Sequence, residues 1–181
     1  MSRVYAFLAD GFEETEAIAV IDLIKRGGID IEMVSVMGRK EVVGAHNIKI
    51  EADSLVEDID IDNADMLFLP GGMPGTTNLA ACTRLCDAIV RYNNTGKKLA
   101  AICAAPSVFG ELGVLEGKKA TCYPGFEDKL KGAAYVGDKV VTDKNVSTAR
   151  GMGAAIELGL EIVRVFEGAE KSKEVAESIR F

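Results

Sequence analysis

Hydrophobic positions in this chain fall into short, nearly continuous runs. Longer stretches separate them, in which apolar residues recur every three or four positions. The runs Val4-Tyr5-Ala6-Phe7-Leu8-Ala9, Ile31-Glu32-Met33-Val34-Ser35-Val36, Met66-Leu67-Phe68-Leu69, Leu99-Ala100-Ala101-Ile102 and Val146-Ser147-Thr148-Ala149 have the length of strands. Their lack of strict alternation predicts strands covered on both faces, as in a parallel sheet. The intervening period predicts helices. Glu13-Glu14-Thr15-Glu16 loads carboxylates into the first turn of one of them, where they complement its dipole. That helix runs to Arg26, is stopped by Gly27-Gly28, and offers Ile18, Ile21, Leu23 and Ile24 as its packing stripe. Others are predicted through Leu85 to Tyr92, from Pro106 to about Leu112, and from about Ala154 to Phe166. A charged amphipathic helix, about Glu170 to Ile179, closes the chain. Between Glu41 and Glu51 two short extended pieces flank Gly44-Ala45-His46-Asn47 as a hairpin-like excursion. An acidic linker runs from Asp58 to Asp65, and Lys119 to Asn145 mixes short strands with the turn Tyr123-Pro124-Gly125. Strand and helix alternate without internal repeats, so the pattern predicts one α/β domain over residues 1–181, doubly wound about a mostly parallel sheet.

Composition narrows the function classes. Nearly half of the 181 residues are hydrophobic, enough for a sizeable core. The net charge is −7 and no basic run appears, which argues against nucleic acid as a partner. No apolar run reaches membrane-spanning length and no leader pattern is visible, so a cytoplasmic protein without a membrane partner is expected. The four cysteines then read as reduced thiols. One histidine and no CxxC pair argue against a metal site.

Chemistry concentrates after three strand ends: Asp10 to Glu16, Pro70-Gly71-Gly72-Met73-Pro74-Gly75, and Cys103-Ala104-Ala105-Pro106. Sites in open α/β sheets form beyond the carboxyl ends of strands where strand order reverses. Cys103 stands between a strand and a helix that Pro106 opens, a nucleophile-elbow pattern with cysteine in place of serine. A helix N-terminus favours a thiolate, so a lowered thiol pKa is expected; the competing reading is a buried structural cysteine. The glycines offer backbone N–H groups to an anion, or form a plain tight turn. The first strand–helix turn lacks GxGxxG and carries three acids that would repel a pyrophosphate, which argues against a dinucleotide cofactor.

Five segments together resemble the ThiJ/PfpI family, within it the branch of Parkinsonism-associated deglycases and their bacterial ThiJ relatives. They are Gly11-Phe12-Glu13-Glu14-Thr15-Glu16-Ala17, Asp22 to Gly28, Leu69-Pro70-Gly71-Gly72, Ala101 to Pro106, and Arg150-Gly151-Met152-Gly153. The resemblance implies a flavodoxin-like sandwich, a homodimer packed partly through the first helix and the hairpin, and no cofactor. It implies Cys103 as the reactive cysteine, Glu16 protonated and hydrogen-bonded to the thiolate, and Gly71, Gly72 and Ala104 as oxyanion contacts. Protease-like members carry histidine directly after the cysteine, where this chain has Ala104, so peptidase activity is not expected. Relatives carry histidine before the proline matching Pro124, where this chain has Tyr123. His46 aligns near an arginine of relatives and reads first as an exposed turn residue. Tyr123, His46 and Arg26 form a possible secondary site. The function implied is a cofactor-free enzyme on small α-oxoaldehydes, of glyoxalase or deglycase type. The alternatives are a redox-responsive protein sensing through Cys103 and a chaperone-like protein.

Overall fold

The computed structural model describes residues 2–181. The elements in chain order are β1 (Arg3–Leu8), α1 (Glu14–Arg26), β2 (Asp30–Ser35), β3 (Glu41–Val43), β4 (Lys49–Glu51), β5 (Ser54–Leu55), β6 (Met66–Leu69), α2 (Gly75–Ala81) and α3 (Thr83–Thr95). They continue with β7 (Lys98–Ile102), α4 (Pro106–Glu111), β8 (Lys119–Ala120), β9 (Ala134–Tyr135), β10 (Val140–Asp143), β11 (Val146–Ala149) and α5 (Ala155–Ser178).

Seven strands form the main sheet in the order β10-β11-β7-β6-β1-β2-β5. All neighbours pair parallel except β10 with β11. Strand alternation sends Val4, Ala6, Leu8, Phe68, Ala100 and Ile102 into the core beneath α1 and α5. Tyr5, Phe7, Leu67, Leu69, Leu99 and Ala101 face the opposite core with α3 and α4. Helices thus cover both faces, as a doubly wound parallel sheet requires. The chain leaves β1 for β2 and returns on β1's other side as β6, so strand order reverses between β1 and β6. The crevice beyond their carboxyl ends is where the site forms.

Several expectations are corrected. Ile18, placed on the packing stripe of α1, is 43 % exposed, and Ala17 and Val20 are buried instead. The stretch before Tyr92 is two helices, α2 and α3, broken at Cys82, whose backbone is extended. The acidic linker holds a short 3-10 turn at Ile61–Asn63, whose carbonyl region accepts the buried Tyr92 hydroxyl. The two closing helices, by contrast, form as expected within α5 and meet at a kink at Gly168, whose φ of 88° lies in the left-handed region. Helices α1 and α5 approach closely because Gly159 leaves room for Leu23: a Cβ there would lie 2.6 Å from Leu23 Cδ1.

The predicted hairpin forms, β3 pairing antiparallel with β4. It is fastened over the loop that follows β1. Gly11 N–H donates to the Val43 carbonyl at 2.8 Å, Ala45 N–H donates to the Phe12 carbonyl at 2.8 Å, and the Arg39 guanidinium pairs with Asp10 at 2.6 Å. Among the described residues, no helix is long and apolar enough to cross a membrane.

Candidate active site

Cys103 is the one residue that joins β7 to the turn before α4. Its φ is 66°, a left-handed conformation that a non-glycine side chain holds at a cost of about 1–3 kcal/mol. The neighbourhood fixes it from both sides: its N–H donates to the Ala149 carbonyl at 2.9 Å, and its carbonyl accepts the Tyr123 N–H at 2.8 Å. The elbow aims the sulfur out of the sheet toward the loop that follows β6. Cys103 is half-buried, while Cys122 is fully buried, and burial pushes the Cys122 thiol up to about 11.

Glu16 is carried in by α1. The Glu13 side chain caps that helix, accepting the Glu16 N–H at 2.6 Å. The Glu16 carboxyl is only 1 % exposed. Its Oε2 accepts the Gly71 N–H at 2.9 Å, and the Met152 N–H and the Cys103 side chain also face the carboxyl. Gly71 is the floor of this contact. A Cβ there would lie 2.6 Å from both Glu16 Oε2 and the Cys103 Cβ, so a larger residue would drive the two apart.

Three oxyanion donors were expected; two are free for the role. Gly72 and Ala104 N–H groups face the Cys103 sulfur, whereas the Gly71 N–H is committed to Glu16. The lowered thiol pKa expected from the helix N-terminus is also overturned. Helix α4 has six residues, fewer than two turns, so its dipole is weak. Burial, with the adjacent Glu16 carboxylate, pushes the thiol up to about 12. Burial likewise raises Glu16 to about 7, assisted by the Glu13 charge and opposed by its hydrogen bonds. Two negative charges in this pocket repel, so between about pH 7 and about pH 12 the pair holds a single proton. Within the one-proton state, a thiolate forms only when Glu16 holds that proton and can donate it.

The possible secondary site disperses. Tyr123 is half exposed on the wall beside Cys103. His46 lies at the hairpin turn, its backbone N–H and Nδ1 held by Glu14 at 2.7 and 2.9 Å. Arg26 is at the far end of α1, paired with Asp22 at 2.6 Å and remote from Glu16 in the same chain. Glu13, Glu14 and His46 bring potential metal ligands within 4.8 Å of one another, a grouping the sequence spacing concealed. Both Glu14 oxygens are engaged by His46, so the geometry is that of an ion pair. Sequence reasoning missed the role of Met152, whose backbone N–H, not its side chain, does the contacting. The motif Arg150-Gly151-Met152-Gly153 marked the place without showing why.

The geometry has known counterparts. A model of the DJ-1/PfpI family matches residues 2–165. The chain is 41 % identical over 176 residues to Protein DJ-1 homolog B of Arabidopsis thaliana, covering 96 % of this chain and 40 % of that protein. It thus spans about two-fifths of the length of the Arabidopsis relatives. It is 32 % identical over 162 residues to the glutathione-independent glyoxalase DJR-1.2 of Caenorhabditis elegans, covering 88 % of this chain and 86 % of that one. The solved structure of oxidized Toxoplasma gondii DJ-1 superposes with a TM-score of 0.96 at 29 % identity, covering 100 % of this chain and 99 % of that one.

Proposed function

The chain belongs to the DJ-1/PfpI family, and from that premise we propose that it is a cofactor-free enzyme converting small α-oxoaldehydes to α-hydroxy acids through Cys103. The observation that carries this reading is the elbow cysteine set against a buried carboxyl whose pKa burial raises to about 7. The glyoxalase named among the relatives supports the same reaction class. The Cys103 sulfur adds to the aldehyde carbon, and Glu16 gives its proton to the resulting alkoxide, with Gly72 and Ala104 N–H groups sharing the developing charge. Glu16, now a carboxylate, takes the proton from that same carbon and returns it to the neighbouring one. The first carbon is thereby oxidised to a thioester and the second reduced to an alcohol, so no external oxidant is required. Water cleaves the thioester, releases the α-hydroxy acid and restores the thiol. A carboxyl poised near neutrality suits each transfer, because it can give and take the proton at similar cost.

The test is steady conversion of methylglyoxal to lactate by the purified protein without added thiol. Turnover that is absent, or that survives Cys103→Ser, sinks the proposal. Removal of early glyoxal-type adducts from proteins would use the same addition step and is scored separately, after free aldehyde is trapped.

A redox role is the second reading. Cys103 is half-buried, and a solved relative is an oxidized form. Peroxide would convert the thiolate to a sulfenate with loss of water, and the Glu16 O–H would donate to the new oxygen. Cys103 oxidation at peroxide levels that leave Cys82, Cys86 and Cys122 untouched would support it. We also propose a homodimer formed through α1 and the β3–β4 hairpin. Ile18 and Ile48 are 43 % and 56 % exposed on those two elements.

A further inference from the structure

A cavity of about 430 Å³ on the far side of Tyr123 and Met152 is lined by Tyr123, Pro124, Met152 and Ala154, with Arg150 and Lys139 at its edge. Two backbone bonds join this cavity's walls to the elbow. Tyr123 N–H donates to the Cys103 carbonyl at 2.8 Å, and Arg150 directly follows Ala149, whose carbonyl accepts the Cys103 N–H at 2.9 Å. The Met152 N–H faces the Glu16 carboxyl, so the cavity adjoins the reacting pair. The volume falls within the range of about 300–1,000 Å³ typical of small-molecule sites, and a three-carbon aldehyde leaves most of it unfilled.

The lining divides by chemistry. Tyr123 and Met152 are 50 % and 54 % exposed, large apolar surfaces from two different loops that a flat or aliphatic group would cover. The two cations differ from each other. Lys139 Nζ is neutralised by Glu157 at 2.7 Å. Arg150 has no carboxylate partner among the described residues, although the chain carries more acids than bases. A guanidinium presents a planar fork that matches a carboxylate in a way an ammonium does not.

We propose that this cavity is the specificity pocket of the reaction, and that Arg150 selects α-oxoaldehydes bearing a carboxylate at the end of an apolar spacer. The inference rests on the α-oxoaldehyde reading above and adds to it the substrate class. Arg150 is a binding residue here, without a part in the proton transfers.

Phenylglyoxal and 4-carboxyphenylglyoxal present the same reacting group with and without the carboxylate. The expected result is a kcat/KM about tenfold higher for the carboxylated compound, carried mainly by KM, the scale of one added charge-assisted hydrogen-bonded contact. Arg150→Gln brings the ratio to near one, Arg150→Glu takes it below one, and Arg150→Lys retains part of the preference. A wild-type ratio near one, or a preference that survives Arg150→Glu, overturns the inference. Should neither aldehyde turn over, the enzymatic reading fails, and the pocket is tested by protection instead. 4-Carboxymandelate then shields Cys103 from iodoacetamide at about one-tenth the concentration of mandelate, and Arg150→Glu removes that difference. Equal protection by the two acids, or none, overturns the pocket as well.

Discussion

Glu14 and Glu16 stand two residues apart in the first turn of α1, are 6 % and 1 % exposed, and are driven in opposite directions. Burial pushes both carboxyls up. At Glu14 the side chain and backbone N–H of His46 outweigh it and hold the group below its usual value. At Glu16 burial outweighs the lowering effect of Cys103 and the Gly71 N–H, and the nearby Glu13 charge adds to it, so its pKa rises to about 7. One carboxylate fastens the hairpin; the other is held ready to exchange a proton. Depth inside the protein does not decide between these roles. The charge and donor count of the neighbours do.

The contrast can be broken most strongly at Glu16. Glu16→Gln keeps a donor for the Cys103 sulfur but removes proton transfer, so methylglyoxal turnover is expected to fall by about two to four orders of magnitude. Alkylation of Cys103 should persist in that variant. Full turnover with glutamine would make Glu16 a structural partner only.

Stability against pH gives the next largest effect. An unfolded Glu16 ionises near 4.5 and the folded one near 7, so the folded state binds more protons between those values. Stability is therefore lost as pH rises through that window. Relative to the wild type, Glu16→Gln should gain on the order of 3 kcal/mol between pH 4 and pH 8, measured by urea unfolding. A gain that is flat with pH would show that Glu16 ionises at an ordinary carboxyl value.

Glu14 should show the mirror image. Its depressed pKa contributes stability that is present at neutral pH and lost on acidification. Glu14→Gln is expected to cost about 1–2 kcal/mol at pH 7 and little at pH 3. His46→Ala should produce the smallest change, because the histidine side chain is 73 % exposed and the backbone N–H still reaches Glu14. Any loss there should fade as pH rises through the raised pKa of His46.

Much of this was legible in the residues. The five core runs became β1, β2, β6, β7 and β11 with shifts of about one residue, because continuous burial leaves a strong apolar signal. The elbow at Cys103 and the paired Glu16 also stand where the motifs put them. What escaped depends on backbone atoms and partners far along the chain. Gly71 looked like an oxyanion donor, and only the folded loop shows its N–H turned to Glu16. The raised thiol pKa comes from burial and a carboxyl 87 positions away in sequence, which local helix-dipole reasoning could not include. Strand β5 has two residues and α2 reads Gly-Thr-Thr-Asn-Leu-Ala-Ala, too short or too polar for any periodicity to announce them. Ile18 looked like core because it is apolar; its exposure fits a face left for another surface.

The reacting pair is assembled from distant points: Glu16 is bonded to Gly71, Cys103 to Ala149, and the Met152 N–H faces the Glu16 carboxyl. During synthesis on the ribosome, Glu16 and Cys103 leave the exit tunnel long before Met152 does. Until then the carboxyl lacks one of its donors and the cysteine backbone lacks the carbonyl that fixes its turn. A nascent or truncated chain thus carries Cys103 without its fixed elbow, and the pocket around the sulfur is complete only after nearly the whole sheet has closed.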